Sequence, residues 1–273
     1  MGSMTSVFDV IVHRMLRVAY TLNVRYKRIL PGAKVTYVFI HGLGDTADLW
    51  AGTIGELPHN VNYIAMDLVG FGDSPKPAWA RYDAKMQARS VLQTCLARGI
   101  FGPVTVVGHS LGALVAVEFA RRYPLAVRRL ILCSPPIYDT QPGRAARQLQ
   151  QNALHRIYGE LAKNPKLIMN AYAFGKKLRL INQSFQVTPE TLPAFLASLQ
   201  TSIINQDTIQ HIERIHVPIV IIDGQFDVLT INSILKQIAK RHKNMRLITI
   251  PAAHVIMGRY QKQLVSLLRE QLQ

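Results

Sequence analysis

A serine with a glycine two positions away on each side marks the part of this sequence best suited to covalent chemistry. Residues 104–112 read Val-Thr-Val-Val-Gly-His-Ser-Leu-Gly, a β-branched apolar run that ends in a Gly-x-Ser-x-Gly pattern and then opens a helical one. This order predicts a sharp strand-to-helix turn that exposes the hydroxyl of Ser110. Gly108 and Gly112 are expected where the backbones approach too closely for a Cβ atom. A serine held in this way can attack a substrate carbonyl.

Two further residues are candidates to activate that serine. Asp227 ends the stretch Gly-Gln-Phe-Asp after the apolar run Pro218–Ile222, and His254 follows the last predicted strand. Histidine suits the role of base because its unperturbed pKa is about 6.5, and an acid on the neighbouring loop can hold its ring. Asp139, after the preceding strand, is the competing acid. Ser110, Asp227 and His254 all follow predicted strands, at the edge where open α/β sheets bind their ligands.

A glycine-rich loop after the strand Val35–Ile40 supplies a second kind of group. It reads His41-Gly-Leu-Gly, and glycines at a strand end let backbone N–H groups turn towards a site. The N–H groups of Leu43 and Leu111 are predicted to stabilise an oxyanion together. In other enzymes the loss of one such donor costs about 2.7–4 kcal/mol. His41 is expected to brace this loop.

The remaining polar residues near these motifs are expected to have structural roles. Asp67 and Asp73 are predicted to brace loops by accepting hydrogen bonds from backbone N–H groups. Asp223 lies within its strand and is expected to face the core or a helix. His109 is predicted to pack or to form hydrogen bonds, because adjacent residues of a strand point apart.

Alternating strand-like and helical patterns predict the frame that positions these residues. Several apolar runs are continuous, as in strands that are covered on both faces. The fold class is therefore α/β, with a mostly parallel, doubly wound sheet. The predicted strands are Tyr20–Arg28, Thr36–Ile40, Asn62–Met66, Thr105–Val107, Arg129–Cys133, Ile219–Ile222 and Arg246–Ile250, and the helices between them are Ala84–Arg98 and Ala113–Arg122.

The alternation stops between Ile137 and Glu213, where only helical patterns occur. The helices predicted there are Arg144–Ala162, Pro165–Leu180, Pro189–Ile204 and a short one after Asp207. This segment is interpreted as an inserted all-helical cap, so the chain divides into core residues 1–136, cap residues 137–213 and core residues 214–273. The candidate substrate-binding residues are Tyr138, Met169, Tyr172, Phe174, Phe195 and Val255.

Together these motifs resemble the α/β-hydrolase fold family, in its serine hydrolase branch with a helical lid. Two further family-like stretches, residues 67–74 and 134–136, extend a resemblance that runs from about Tyr20 to the C-terminus. It implies that Ser110 is the nucleophile, His254 the general base and acid, and Asp227 the residue that orients His254. The implied reaction forms an acyl-enzyme from a carboxylic ester, thioester or lactone and needs no cofactor and no metal.

The sequence also narrows the chemistry within that family. Serine at the nucleophile position excludes the aspartate chemistry of haloalkane dehalogenases and epoxide hydrolases. Val255 directly after His254 argues against carbon–carbon bond hydrolases, which often carry an aromatic residue there. The alternative function is a ligand-sensing or scaffold protein on the same fold, with little or no turnover.

Composition indicates which kinds of partner and which cellular compartment to expect. The net charge is +16, and most of the excess lies in residues 1–36 and 228–273. No nucleic-acid partner is expected, because no basic run is interleaved with stacking aromatic residues. The partner is a small acyl substrate, and the oligomeric state is left open. Two cysteines and no signal-peptide pattern favour the cytoplasm.

The N-terminal segment Val7–Tyr20 has amphipathic helical spacing. Asp9, His13 and Arg17 fall at intervals of four residues, and most of the others are apolar. The segment is expected to pack on its own domain or on a second subunit. Weak association with an anionic membrane surface is the alternative.

Overall fold

The structure is a computed structural model that describes residues 7–138, 145–177 and 182–272. A seven-stranded sheet forms its centre, at the positions where apolar, β-branched runs were predicted to be strands. The strands are β1 (Val24–Arg28), β2 (Thr36–Ile40), β3 (Asn62–Met66), β4 (Val104–His109), β5 (Val127–Cys133), β6 (Ile219–Gly224) and β7 (Met245–Ile250).

The strand order is β1-β3-β2-β4-β5-β6-β7. Only β1 is antiparallel to its neighbour, and the other five pairs are parallel. The mostly parallel sheet predicted from the sequence is therefore confirmed. Because parallel strands end at the same edge, the loops after β2, β4, β6 and β7 meet there.

Helices cover both faces of the sheet. The helices are α1 (Val7–Asp9), α2 (Ala51–Gly55), α3 (Ala84–Ala97), α4 (Leu111–Arg122), α5 (Ala145–Lys163), α6 (Pro165–Lys177), α7 (Leu192–Ser198), α8 (Thr208–Ile212), α9 (Asn232–Arg241) and α10 (Arg259–Glu270). Short 3-10 turns at Ala47–Trp50 and Pro124–Ala126 precede α2 and follow α4, and π-helical turns at Val10–Met15 and Leu199–Ile204 continue α1 and α7.

Alternate residues of β2 belong to two separate cores. Val38 and Ile40 pack with α3, α4 and α9, whereas Tyr37 and Phe39 pack with α2 and α10. Successive side chains of a strand point to opposite faces, so this division shows a sheet that is apolar on both sides. The doubly wound arrangement is confirmed.

Two predicted elements are shorter in the structure because tertiary contacts compete with the local pattern. The first strand begins at Val24 rather than Tyr20, and the N–H of Leu22 donates to the Thr94 hydroxyl at 2.8 Å instead of joining the ladder. The N-terminal helix ends with its π-helical turn at Met15 rather than at Tyr20. The Tyr20 hydroxyl instead folds back and donates to Asp9 at 2.9 Å.

Between β5 and β6 the described residues contain helices and no strand. The helix expected at Pro189–Ile204 begins at Leu192, because Thr188 and Thr191 hydrogen-bond each other in a turn before it. Asp139, Arg144 and Leu180 lie outside the described residues. Nowhere in the described ranges is a helix both long and apolar enough to span a membrane.

Candidate active site

Ser110 occupies the turn between β4 and α4 in a backbone conformation that non-glycine residues seldom adopt. Its φ is 53° and its ψ is −120°, and its N–H donates to the carbonyl of Cys133 at 2.9 Å. Backbone strain of this kind costs of order 1–3 kcal/mol and needs support from its surroundings. A Cβ on Gly108 would overlap the carbonyl of Gly112, and a Cβ on Gly112 would overlap that of Ile40. The predicted steric reason for both glycines is confirmed.

Asp227 and His254 are held together on the loops that follow β6 and β7. The Nδ1–H of His254 donates to Oδ2 of Asp227 at 2.7 Å, and the N–H of Leu229 donates to Oδ1 at 2.8 Å. Burial alone would raise the pKa of Asp227, but the hydrogen bonds from His254 and Leu229 outweigh it and hold that pKa below its usual value. Asp227 is therefore ionised at neutral pH. Because its carboxylate accepts the hydrogen bond of Nδ1, it makes no bond to Nε2 of His254.

His109 fixes the loop that carries His254. Its Nε2–H donates to the main-chain carbonyl of His254 at 2.9 Å. Burial, reinforced by the nearby His254, lowers the pKa of His109 to about 3, so its ring is neutral. The prediction that His109 forms hydrogen bonds is confirmed.

A cavity of about 340 Å³ lies at this edge of the sheet. Ser110 and His254 both line it, on loops from opposite sides of β5. The residues that line the cavity are Gly42, Leu43, Asp45, His109, Ser110, Tyr158, Leu161, Asn182, Phe185, Phe195, Ile203, Leu229, His254 and Val255. The wall is largely apolar, as in sites that bind small organic molecules.

The glycine-rich loop after β2 borders the cavity and is held rigidly. The Nδ1–H of His41 donates to the carbonyl of Gly42, and Nε2 accepts the N–H of Leu68, both at 2.8 Å. Among the described residues, no hydrogen bond uses the N–H of Leu43 or of Leu111. The bracing role predicted for His41 is confirmed, and both predicted oxyanion donors are unpaired.

The neighbouring aspartates hold loops, with one difference from expectation. Asp67 accepts the N–H groups of Ala47 and Asp73 at 2.9 and 3.0 Å, as predicted. Asp73 itself pairs with the guanidinium of Arg25 at 2.9 Å, so its partner is a side chain rather than a backbone N–H. Arg25 was not singled out from the sequence, because no local pattern indicates that its side chain reaches these loops.

Asp223 lies outside the cavity wall. It accepts hydrogen bonds from the Thr230 hydroxyl at 2.8 Å and from the Asn232 amide at 2.7 Å, so it ties the loop after β6 to the start of α9. The expectation that Asp223 faces a helix is confirmed.

Of the six candidate substrate-binding residues, Phe195 and Val255 line the cavity and four do not. Tyr138 is buried, and its hydroxyl donates to the carbonyl of Leu229 at 2.8 Å. Met169 and Tyr172 are half-buried in α6, where Tyr172 packs against Phe185, and the Phe174 side chain is 63% exposed. Helical spacing alone did not show which face of α6 would be covered.

Asp45 is the acidic residue of the cavity wall, and it was not singled out from the sequence. Its Oδ1 accepts the Ser184 hydroxyl at 2.6 Å. Burial raises the pKa of Asp45 to about 7, although the bond from Ser184 opposes this. The signal available in the sequence was an acid directly after the glycine-rich loop.

In the described part of the chain, no cluster of three or more His, Cys, Asp or Glu side chains could hold a metal ion. The site combines the Ser110 hydroxyl, the imidazole of His254 paired with a carboxylate, and the unpaired N–H of Leu43 beside a largely apolar cavity. Leu111, whose N–H is also unpaired, directly follows Ser110 but does not itself line the cavity. Such a set can supply a nucleophile, a base and electrostatic stabilisation of an anion.

Comparison with known proteins supports this interpretation of the fold. A family model described as alpha/beta hydrolase fold matches residues 37–258. A probable lysophospholipase of Arabidopsis thaliana, BODYGUARD 1, is 28% identical over 148 residues, which are 52% of this chain but only 30% of that protein.

Solved structures agree over almost the whole chain. An esterase from Thermogutta terrifontis superposes with a TM-score of 0.69 at 20% identity, over 92% of this chain and 98% of that one. An enol-lactonase from Burkholderia xenovorans gives 0.68 at 19% identity, over 92% and 96% of the two chains. At these identities the likeness is one of fold. Since the family model covers most of the chain, this protein belongs to the alpha/beta hydrolase fold family.

Proposed function

We propose that this protein is a serine hydrolase that cleaves a carboxylic ester, thioester or lactone. The observation that carries the proposal is the pairing of His254 with Asp227 at 2.7 Å on a cavity that Ser110 also lines. The family assignment supports it, as do an esterase and an enol-lactonase among the solved structures of the same fold.

The proposed reaction forms and then hydrolyses an acyl-enzyme. The hydroxyl of Ser110 attacks the substrate carbonyl carbon while Nε2 of His254 accepts its proton. The N–H groups of Leu43 and Leu111 stabilise the resulting oxyanion. Collapse expels the alcohol or thiol, which takes the proton from His254. Water then attacks the acyl group by the same steps and regenerates Ser110.

A helical cap over the site is part of the proposal. Residues 137–213 supply Tyr158, Leu161, Asn182, Phe185, Phe195 and Ile203 to the cavity. Two hydrogen bonds, each 2.6 Å long, tie this segment to the glycine-rich loop: Gln186 N–H to the carbonyl of Gly44, and the Ser184 hydroxyl to Asp45. Substrate selection would then depend on how these helices pack.

Labelling of Ser110 by a serine-directed phosphonate, beside hydrolysis of p-nitrophenyl esters of increasing acyl length, tests the proposal. We expect one label per chain, located at Ser110, and turnover that disappears in the Ser110→Ala variant. The preferred acyl length would then measure the cavity. An unlabelled Ser110 with no ester turned over would favour the ligand-sensing or scaffold function, and turnover that survives Ser110→Ala would exclude Ser110 as nucleophile.

We also propose that the N-terminal segment associates with anionic membranes. Phe8 and Leu16 are 72% and 68% exposed, and Val7 and Met15 are exposed beside them. The same segment contributes Arg14 and Arg17 to a cleft whose other cationic residues are Arg81, Lys85 and Arg89. Apolar side chains next to a basic surface complement the negative charge and the acyl region of such a bilayer.

Vesicle co-sedimentation checks the membrane proposal. We expect binding to phosphatidylglycerol vesicles at about 0.1 M salt that weakens by about tenfold or more at about 0.5 M salt, because screening shortens the range of the attraction. The double variant Phe8→Ser/Leu16→Ser should bind less at either salt concentration. Equal binding to phosphatidylcholine vesicles, or binding that salt does not change, would contradict it.

We propose a cytoplasmic location. Cys95 and Cys133 are both buried free thiols. Free thiols persist most readily in a reducing compartment.

A further inference from the structure

Asp45 lies in the cavity wall without a role in the proposed reaction. It directly follows the glycine-rich loop, is 7% exposed, and lines the same cavity as Ser110 and His254. It is the one acidic residue among those that line the cavity in the described part of the chain. A carboxyl group in this position borders the same space that a substrate of Ser110 would enter.

Only one of the two Asp45 oxygens has a protein partner. Oδ1 accepts the Ser184 hydroxyl at 2.6 Å. Within the described ranges Oδ2 has no hydrogen bond and no ion pair. This atom keeps some contact with solvent. Since the residue is otherwise buried and lines the cavity, Oδ2 faces the space that substrate would fill.

An open carboxyl oxygen in a largely apolar wall destabilises the empty site unless something hydrogen-bonds to it. Among the other wall residues that the structure describes, none hydrogen-bonds to Oδ2, the amide of Asn182 included. Phe185 and Phe195 are aromatic, and the Tyr158 hydroxyl is bonded to that of Tyr138 at 3.2 Å. A substrate group is therefore the natural partner of Oδ2.

The chemistry of that partner follows from the protonation of Asp45. Burial raises its pKa to about 7, with the Ser184 bond and the nearby His254 opposing the shift, so both forms are populated near neutral pH. A carboxylate only accepts hydrogen bonds, whereas a carboxylic acid also donates one. A hydroxyl group can satisfy either form. An ammonium suits only the first, and a carbonyl only the second.

We propose that Asp45 determines specificity by binding a hydroxyl group of the substrate, which makes the preferred substrate a hydroxyl-bearing ester. The inference rests on the proposed esterase function. The cavity volume of about 340 Å³ is at the small end for ligand sites, and its other walls are mainly apolar. The site therefore fits a small or medium ester with one hydroxyl rather than a polyhydroxylated group.

Matched ester pairs test this inference. The acyl pair is p-nitrophenyl 3-hydroxybutanoate and butanoate, and the alcohol pair is 2-hydroxyethyl and propyl butanoate. We expect the wild-type enzyme to prefer the hydroxylated ester in at least one pair by about tenfold or more in kcat/KM. Asp45→Leu, which keeps the branched shape of the side chain without its oxygens, should reduce that ratio to within about twofold of unity.

Tyr158→Phe is the matched control, because it removes a different hydroxyl from the same wall. In Tyr158→Phe the ratio of kcat/KM for the hydroxylated ester to kcat/KM for its partner ester should stay at the wild-type value. If Asp45→Leu does not fold, Asp45→Asn decides, since its amide can keep the Ser184 bond and present N–H to the cavity. It should then accept a methoxy analogue as readily as the hydroxyl ester, which the wild type at about pH 8.5 should not.

The possible failures can be told apart. Three results overturn this inference and leave the esterase function standing: cleavage of all esters without preference, a preference for the hydroxylated ester that persists in Asp45→Leu, or a preference for hydroxyl over methoxy that persists in Asp45→Asn. Cleavage of none of them overturns the esterase function and this inference with it.

Discussion

Asp227→Asn is expected to lower kcat for ester hydrolysis by about 10³–10⁴-fold while the fold persists. Asp227 accepts two N–H groups, one from His254 and one from Leu229, on separate oxygens. An asparagine has one acceptor oxygen and one amide group, so it cannot satisfy both donors. If the asparagine oxygen keeps the hydrogen bond from Leu229, the asparagine NH2 group faces Nδ1 of His254 and donates to it. Nδ1 must then be an acceptor, so the ring proton moves to Nε2. That nitrogen can then no longer take the proton of Ser110.

Steady-state kinetics on the best p-nitrophenyl ester, with circular dichroism to check folding, would measure this effect. The competing acid from the sequence, Asp139, supplies the matched control. Asp139→Asn should retain kcat within about threefold, because the carboxylate bonded to His254 is that of Asp227. A loss of activity in Asp139→Asn together with retention in Asp227→Asn would reverse the assignment of the acid.

The strands and the strand-to-helix turn at Ser110 could be predicted from sequence because their causes are local. Gly108 and Gly112 are required by backbone approaches within one strand–turn–helix unit and its neighbouring strand. Continuous apolar runs predicted strands covered on both faces, and the parallel order placed Ser110, Asp227 and His254 at the same edge. These inferences depend on chain order and sterics alone.

The cavity wall could not be predicted in the same way because distant segments build it. Ser184 reaches Asp45 across 139 positions, and Gln186 bonds to Gly44. Phe185 packs its ring where a Cβ on Gly44 would lie, although it belongs to no helix. Phe174 was a candidate wall residue because it is an apolar residue of the predicted cap, but its side chain is exposed. Which face of a helix is covered depends on contacts that a single sequence does not encode locally.

The N-terminal segment illustrates the same limit. Its helical spacing predicted a helix to Tyr20, yet the helix ends at Met15 and Arg17 adopts a positive φ of 57°. The Tyr20 ring stacks on His13 at 3.8 Å and its hydroxyl reaches Asp9, so the chain turns back. A tertiary contact has overridden the local pattern.

Asp45→Asn is expected to stabilise the protein at alkaline pH and to have little effect in acid. The pKa of Asp45 rises from 3.8 to about 7 on folding because the carboxyl is buried. At pH values well below 3.8 the group is protonated in both states and folding carries no ionisation penalty. As the pH rises towards and past 7, the unfolded chain ionises freely but the folded chain resists. Full ionisation then reduces the free energy of unfolding by about 4 kcal/mol.

Thermal unfolding of the wild type and Asp45→Asn between about pH 4.5 and pH 8.5 measures this difference, in which the titration of all other groups cancels. Asparagine stays neutral throughout, so its advantage in Tm should grow with pH and reach on the order of 5 °C or more at the alkaline end. Asp227→Asn is the control of opposite sign. The pKa of Asp227 is held below its usual value, so its carboxylate stabilises the fold at neutral pH, and that stabilisation disappears as the pH falls. An Asp45→Asn difference that does not change with pH would show that Asp45 is not buried as a titrating carboxyl in the folded protein.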